Sequence, residues 1–419
     1  MKSIVKLFCC LCLTASAFAQ EQELPLIEKL EQRTEALEES IKALQKLKVS
    51  GYIQTQYQWG EKESSLKVGS ANSNPDESFN RLGIRRGRIK FTYEDGAALG
   101  VFQLDLTEKG VGIKDAYLGV KDPWFGTSSL KAGIFDRPFG NEISYSSSRR
   151  ESPERSTIFQ TLFPEERDLG GMITLQAAKT SPWNLLKLEA GLFAGNGIKQ
   201  ETDNRKDFIG HLSAARNIGS DAKWGLGMSY YYGSVAQGNE NLYKMDGKSF
   251  VLNNDPDNKG KFAKREYIGF DGQFSVMSSF GLTQLRAEYL FGTQPGSQTS
   301  SKSPNSSSAV IADTYIRNFS GGYAILIQDL GELPLSAVLK YDWYDPNTKI
   351  AGDDIGSNGT GSADLTQYTF GFGMLWRVNK SLRLQAFYEV NKNETTQNLA
   401  NFNSDIKNDV FTLRLQYAF

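Results

Sequence analysis

The sequence predicts an all-β membrane protein: a 16-stranded antiparallel transmembrane β-barrel with an N-terminal coiled-coil helix. Three observations carry the prediction. The chain opens on an export signal, alternates apolar and polar residues from Val49 onward, and closes on an aromatic residue, Phe419.

The first element is the signal. Lys2 and Lys6 make a short basic region, an apolar run from Ile4 to Leu13 follows, and Ala17-Phe18-Ala19 supplies a small-x-small cleavage site. Residues 1–19 read as a secretory signal peptide cut before Gln20, with an apolar core too short to anchor in a bilayer. A lipoprotein signal would need a small residue before the modified cysteine. Here Phe8 and Leu11 precede Cys9 and Cys12. These and Cys10 are the only cysteines, so the exported chain is expected to have no disulfide framework. Losing Lys2 and Lys6 takes the formal charge from −1 to −3, which excludes a basic nucleic-acid binder. A mean hydropathy of −0.42 excludes a bundle of membrane helices but not a barrel, whose inner face and loops are polar. The twelve prolines are few enough to leave many strands unbroken.

Residues 20–48 change period. Ile27, Leu30, Thr34, Leu37, Ile41, Leu44 and Lys48 recur at spacings of three and four, a heptad seam with charged residues on the outer faces. Arg33 at g and Glu38 at the following e are placed to pair between chains. A helix of about 25 residues with one narrow seam is marginal alone and gains most by pairing with copies of itself. Ile27, Leu30, Leu37, Ile41 and Leu44 are therefore the candidate oligomerisation residues, set in a periplasmic helix. The alternative is an amphipathic helix lying against the barrel.

Residues 49–419 read as the barrel. In the first strand Val49, Ile53, Tyr57 and Trp59 share one face, and Ser50, Gln54, Gln56 and Gln58 the other. A row of glutamines is costly in lipid and natural in a wet bore. The same alternation marks about sixteen strands, beginning near Val49, Arg86, Leu99, Gly112, Leu130, Gly171, Leu185, Phe208, Trp224, Glu266, Leu282, Asn318, Leu335, Gln367, Leu382 and Phe411. Short links such as 122–127 and 378–381 alternate with long polar ones such as 61–78, 234–261 and 346–364. That rhythm suits an up-and-down barrel better than a sandwich. Sixteen strands leave a water-filled bore. The last strand places Phe411, Leu413, Leu415, Tyr417 and Phe419 on one face, with Tyr417 and Phe419 suited to an interfacial aromatic girdle.

One link stands apart. After Leu130–Phe135 a loop of about thirty residues, near 140–168, carries its own apolar residues Ile158, Phe159, Leu162 and Phe163. It also carries Arg149, Arg150, Arg155 and Arg167, with Glu151, Glu154, Glu165 and Glu166 among its acids. A long loop with apolar content is usually packed. The inner barrel wall is one surface available to it, which would make the loop a constriction. The outer rim or a neighbouring subunit is the other.

Several short motifs carry a resemblance. They are Val49-Ser50-Gly51-Tyr52-Ile53, Ile84-Arg85-Arg86-Gly87-Arg88-Ile89, the segment Gly133-Ile134-Phe135-Asp136-Arg137-Pro138-Phe139-Gly140, the segment Lys340-Tyr341-Asp342-Trp343-Tyr344-Asp345-Pro346, and the terminal Phe419. Together with the signal and the heptads they resemble the phosphate-selective porin O and P family, in a Bacteroidota-like branch. The closing strand resembles the assembly signal of outer-membrane barrels. The resemblance implies a homotrimeric outer-membrane porin, embedded in lipid, whose third loop enters the bore and whose basic residues attract anions. No cofactor and no metal are implied. The residues that match the basic path are Arg86, Arg88, Lys90, Lys131, Arg137, Arg149, Arg150, Arg155 and Arg167. Arg86, Arg88 and Lys90 share one strand face, and such a ladder draws anions. They serve equally as balance for Asp105 and Asp115 on adjacent strands. With acids mixed among the arginines of the loop, the expectation is passive diffusion of small hydrophilic solutes and ions with a weak anion preference.

Two other classes remain readable. An enzyme would have to use His211, the chain's only histidine, and no nucleophile motif surrounds it. Asp255, Asp257, Gly260 and Glu266 echo a calcium-loop spacing, but Lys259 stands at a ligand position. An adhesin or structural barrel would bind through its outer loops and would not need an inward one.

Overall fold

A computed structural model describes residues 26–201, 203–304 and 313–419. The expected signal peptide lies outside them. The chain divides into two units, residues 1–48 and residues 49–419.

In the first unit, helix α1 spans Leu26–Gln45. Leu30, Leu37 and Ile41 of the heptad seam are each more than half exposed. The side chains of Ile27 and Leu44 lie outside the described residues. At the weak a position, the Thr34 hydroxyl donates to Leu30 O at 2.8 Å, satisfying itself on its own helix. The helix stops earlier than the expected Lys48, because Leu47 and Lys48 already belong to the first strand.

The second unit is a closed antiparallel barrel. Its strands are β1 (Leu47–Gly60), β2 (Phe79–Asp95), β3 (Ala98–Thr107), β4 (Gly110–Lys121), β5 (Ser129–Asp136), β6 (Arg167–Gln176), β7 (Leu186–Phe193), β8 (Asp207–Ile218) and β9 (Ala222–Ala236). A hairpin of β10 (Asn241–Asp246) and β11 (Ser249–Asn254) follows within one link. The wall resumes with β12 (Phe262–Ser278), β13 (Gly281–Gly296), β14 (Thr314–Asp329), β15 (Leu335–Asp345), β16 (Gln367–Arg377), β17 (Leu382–Asn393) and β18 (Val410–Ala418). Each wall strand pairs with its neighbours, and β9 pairs with β12 across the hairpin. The ring closes where β1 pairs with β18, from Tyr52 opposite Ala418 to Gly60 opposite Val410. Sixteen wall strands result, as the alternation predicts. The largest departure is β2, which begins at Phe79 rather than near Arg86. Gly83 and the charged residues around it interrupt the apolar pattern there.

Side chains sort by strand parity. On β1, Ile53 and Tyr57 point outward and are exposed on the outer face, whereas Gln54, Gln56 and Gln58 point inward. The three glutamines are not wetted as the sequence suggests: none exceeds 2 % exposure. They bond to side chains across the strand pair, as Gln54 Nε2 does to Gln416 Oε1 at 2.7 Å and Gln58 Nε2 to Thr412 Oγ1 at 2.9 Å. Outward aromatics pair along the wall, among them Tyr289 with Trp343 and Tyr341 with Trp343. At the chain terminus Tyr417 stacks on Phe419.

Phe419 closes the ring through backbone bonds with Gly51 in both directions, at 2.9 and 3.0 Å. A Cβ on Gly51 would sit 2.6 Å from Phe419 Cζ. Glycine at this position lets the terminal ring lie flat against β1. No helix among the described residues is long and apolar enough to cross a membrane.

Candidate functional site

The link between β5 and β6, residues 137–166, enters the barrel. It turns at Gly140, whose φ of +59° is left-handed backbone and whose Cβ would collide with Glu288 Oε2. Only glycine turns the chain there at this distance. Gly140 N donates to Ser229 Oγ on β9, and the next two amides, Asn141 N and Glu142 N, donate to the Glu288 carboxylate on β13 at 3.0 and 2.6 Å. Further along, Ser147 O accepts from Gln54 Nε2 on β1, and Ser147 Oγ from Arg88 Nη1 on β2. Glu151 pairs with Arg286 on β13, and its carbonyl accepts from Gln385 on β17. Thr157 N, at the start of the short helix α2 (Thr157–Leu162), donates to Asp342 on β15 at 3.1 Å. The loop is thus bonded to β1, β2, β9, β13, β15 and β17, across the bore rather than along one rim.

Glu154 is the densest of these anchors. Arg85 grips it with two nitrogens at 2.8 Å, Arg86 reaches it at 2.7 Å, and Arg414 of β18 at 2.9 Å. Burial alone would raise the Glu154 pKa, but the three guanidinium groups outweigh it and hold the carboxyl well below its ordinary range. Arg85 and Arg86 are consecutive, yet both reach inward to one carboxylate. Regular strand alternation would have sent one of them outward.

The loop's other face is apolar. Ile158, Phe159, Leu162 and Phe163 are fully buried, together with Phe139 and Ile143. They meet inward aromatics on the far wall: Phe163 packs edge-on against Tyr267 of β12 at 5.6 Å, and Phe159 against Tyr323 of β14 at 6.3 Å. Each buried Phe removes enough apolar surface to contribute about 1.5–3 kcal/mol. The motifs that carry the family resemblance are largely these anchors. Phe135 and Phe139 join the apolar cluster, Asp342 holds α2, and Lys340 lies 3.3 Å from Asp342 and 3.8 Å from Glu142.

Open space remains on the charged side of the loop. Toward the end of the barrel with both strand termini and the short turns, a cavity of about 470 Å³ is lined by Arg88, Lys90, Arg149, Arg155 and Arg167 with Asp115 and Asp136. Arg149 also lines an adjoining cavity of about 360 Å³ with Arg377, Lys380 and Arg383. Toward the long loops, a cavity of about 420 Å³ is lined by Glu63, Lys67, Glu154, Arg155, Asp342 and Glu389. Arg155 borders the spaces on both sides of the loop. Its guanidinium pairs with Glu166 and donates to Glu142 O and Ile143 O at 2.8 Å.

The remaining basic residues fall in different places. Arg86 belongs to the Glu154 anchor. Arg88 pairs with Asp105 at 3.5 Å, and Arg167 with Asp115 and Asp136 at 3.0 Å, so part of the expected ladder is charge balance. Lys131 rests 4.3 Å from the Phe135 ring centre. Arg137 braces the loop from inside, with its Nε donating to Glu166 O and its guanidinium over Phe163. Arg150 is buried and borders a crevice of about 10 Å³ behind the loop. Sequence reasoning passed over Arg85 and Arg414, because their shared partner Glu154 lies far from Arg414 along the chain.

The two minor motifs resolve simply. His211 sits in the wall with Nε2 2.9 Å from Asp271 Oδ2, an ordinary buried polar pair. Asp255 caps its own turn by accepting from Asp257 N, and Glu266 bonds Tyr230 and Lys264 instead of joining it. No cluster able to hold a metal occurs among the described residues.

A closed sixteen-stranded barrel with a loop bonded across its bore defines a porin, an outer-membrane channel. Residues 85–419 match the sequence profile described as phosphate-selective porin O and P, and the chain belongs to that family. Its fold is similar to OmpF of Salmonella typhi, solved in complex with daunomycin, at 13% identity and a TM-score of 0.55, covering 89% of this chain and 97% of that one. It is also similar to OmpT of Vibrio cholerae in its trimer form, at 11% identity and a TM-score of 0.52, covering 89% and 99%. OprB of Pseudomonas putida aligns at 11% identity with a TM-score of 0.52, over 90% and 96%. No curated protein sequence matches the chain.

Proposed function

We propose that the channel conducts small hydrophilic solutes and ions past one constriction, at Arg155, with a modest preference for anions. The observation that carries this reading is that Arg155 borders the cavities on both sides of the loop. A solute moving between them passes its guanidinium, whose positive charge, partly offset by Glu166, favours anions only modestly over small cations. Purified protein in a planar bilayer should give stepwise ohmic conductance. Arg155→Gln should shift the reversal potential in a salt gradient toward cation selectivity. A bilayer without steps refutes the channel, and an unshifted potential removes Arg155 from its path.

The working unit in this reading is a homotrimer in outer-membrane lipid, with α1 in the periplasm as a three-stranded coiled coil. Its support is the exposed seam of Leu30, Leu37 and Ile41 and the trimer form of the fold-related OmpT. Covering such side chains contributes about 1.5–3 kcal/mol each. Deleting residues 21–47 should lower the temperature at which the oligomer dissociates on a gel while single barrels stay folded. An unchanged dissociation temperature refutes the coiled coil.

A further inference from the structure

The charges along the passage are not evenly divided between its two ends. At the short-turn end, Lys90, Arg149, Lys380 and Arg383 line the cavities and make no ion pair among the described residues. The acids that share those walls are engaged: Asp115, Asp136 and Glu166 face Arg167 and Arg155, one acid in excess, and Glu151 faces Arg286, so the four unpaired cations leave this end net positive. At mid-height, three arginines meet the single carboxylate of Glu154, an excess of two positive charges. At the long-loop end the excess disappears. Lys67 and Lys302 face Glu389, and Lys340 lies between Asp342 and Glu142. Fixed positive charge therefore grows from the long-loop mouth toward the short-turn mouth. In outer-membrane barrels the short turns face the periplasm.

We infer that this one-ended charge makes the channel a rectifier, passing more ionic current in one direction than in the other. The inference rests on the reading of the barrel as an open channel. The physical step is ion accumulation. Anions are the mobile partners of a positive wall and are concentrated at the periplasmic end. With the external side positive, the field drives them from that charged end into the nearly neutral end, and the bore fills with carriers. With the external side negative, anions must enter through the end that does not attract them, and the bore empties. The larger current is the one measured with the external side positive. An evenly basic path, however selective for anions, would not distinguish the two directions.

The effect has a salt signature. Fixed charge controls the bore only while the screening length is comparable to its width. That length is about 30 Å at 0.01 M salt and about 3 Å at 1 M. The asymmetry should be strong in dilute salt and vanish in concentrated salt, whereas a voltage-driven movement of the loop would persist.

The test is a single-channel current–voltage curve on the mature protein in potassium chloride, symmetric across the bilayer. Orientation is read with Ser381→Cys, which lines the short-turn cavity, by adding a charged thiol reagent to one chamber. At 0.01–0.05 M salt the current ratio at opposite potentials should be roughly two or more, larger with the external side positive, and should fall to about one at 1 M. A variant carrying Lys90→Gln, Arg149→Gln, Lys380→Gln and Arg383→Gln should lose the asymmetry while keeping parental conductance at 1 M, which certifies its fold. Equal currents in dilute salt, the opposite polarity, or an asymmetry that survives 1 M salt or the fourfold variant each overturn the inference while leaving the channel standing. A bilayer that never conducts overturns both.

Discussion

The two halves of the bore are held by different forces. On the β8–β15 side the loop's main contact is aromatic: Phe139, Phe159 and Phe163 lock against Tyr231, Tyr267 and Tyr323 in edge-on and tilted contacts, beside the loop amides held by Glu288 and the Glu151–Arg286 pair. On the side of β1, β2 and β18 it is held by ions, with Glu154 among three arginines and Ser147 on Gln54 and Arg88. On the aromatic side the loop is bordered by a crevice of about 10 Å³ beside Tyr323 and Ile325. The cavities that could conduct open on the charged side. Packing sets where the loop is, and charge sets what the remaining gap does. A seam of buried ion pairs is a costly way to gain stability, so its place beside the open space fits a role in selectivity.

The largest expected effect separates the halves directly. Glu154→Gln leaves Arg85, Arg86 and Arg414 facing each other without a counter-charge, which should cost about 3–5 kcal/mol. It should also shift the reversal potential further toward anions, because a negative charge leaves the gap. Phe163→Ala, on the aromatic side, should cost about 3 kcal/mol by opening a cavity under the loop, with ion selectivity unchanged. Thermal unfolding and reversal potentials of the two variants decide the matter. If Phe163→Ala shifted selectivity as much as Glu154→Gln, the division of labour between packing and charge would be wrong.

The halves also differ in how far the sequence discloses them. The barrel is legible because a period of two, repeated over sixteen strands, leaves one register per strand. The loop is legible as packed because Ile158, Phe159, Leu162 and Phe163 have to be buried somewhere. The aromatic wall that receives them has a weaker signal. Tyr323-Ala324-Ile325-Leu326-Ile327 on β14 is apolar on both faces, where a lipid–water strand should alternate, and that run marks a strand covered on both sides. The ionic wall has none. Glu154 and Arg414 are joined only by closure of the ring, and Arg85 turns inward against the alternation of its strand. The mixture of acids and arginines within the loop gives no sign of a positive excess. The fold instead brings in arginines from β2 and β18, so the local balance around Glu154 is positive.

The smallest effect is the one acid should produce, and it too should fall on one half only. The Glu154 carboxyl is held well below its ordinary value of 4.5, because Arg85, Arg86 and Arg414 outweigh the burial that would raise it. A depressed folded-state pKa contributes stability that is complete above the unfolded value and is lost as pH falls through the folded one. From pH 7 to about 4.5 the ionic grip on the loop should therefore be constant. Below that, protonation should release it while the aromatic contacts, which carry no ionisable carboxyl, stay packed. Single-channel current noise is the sensitive measure, since a loop held on one side only will flicker. Other carboxylates titrate in the same range, so the informative quantity is the difference between the parent and Glu154→Gln. That variant should be noisier than the parent at neutral pH, and the two should converge below the ordinary carboxylate range. Noise that rises in parallel in both proteins would assign the acid response to another carboxylate and leave Glu154 a packing residue like Phe163.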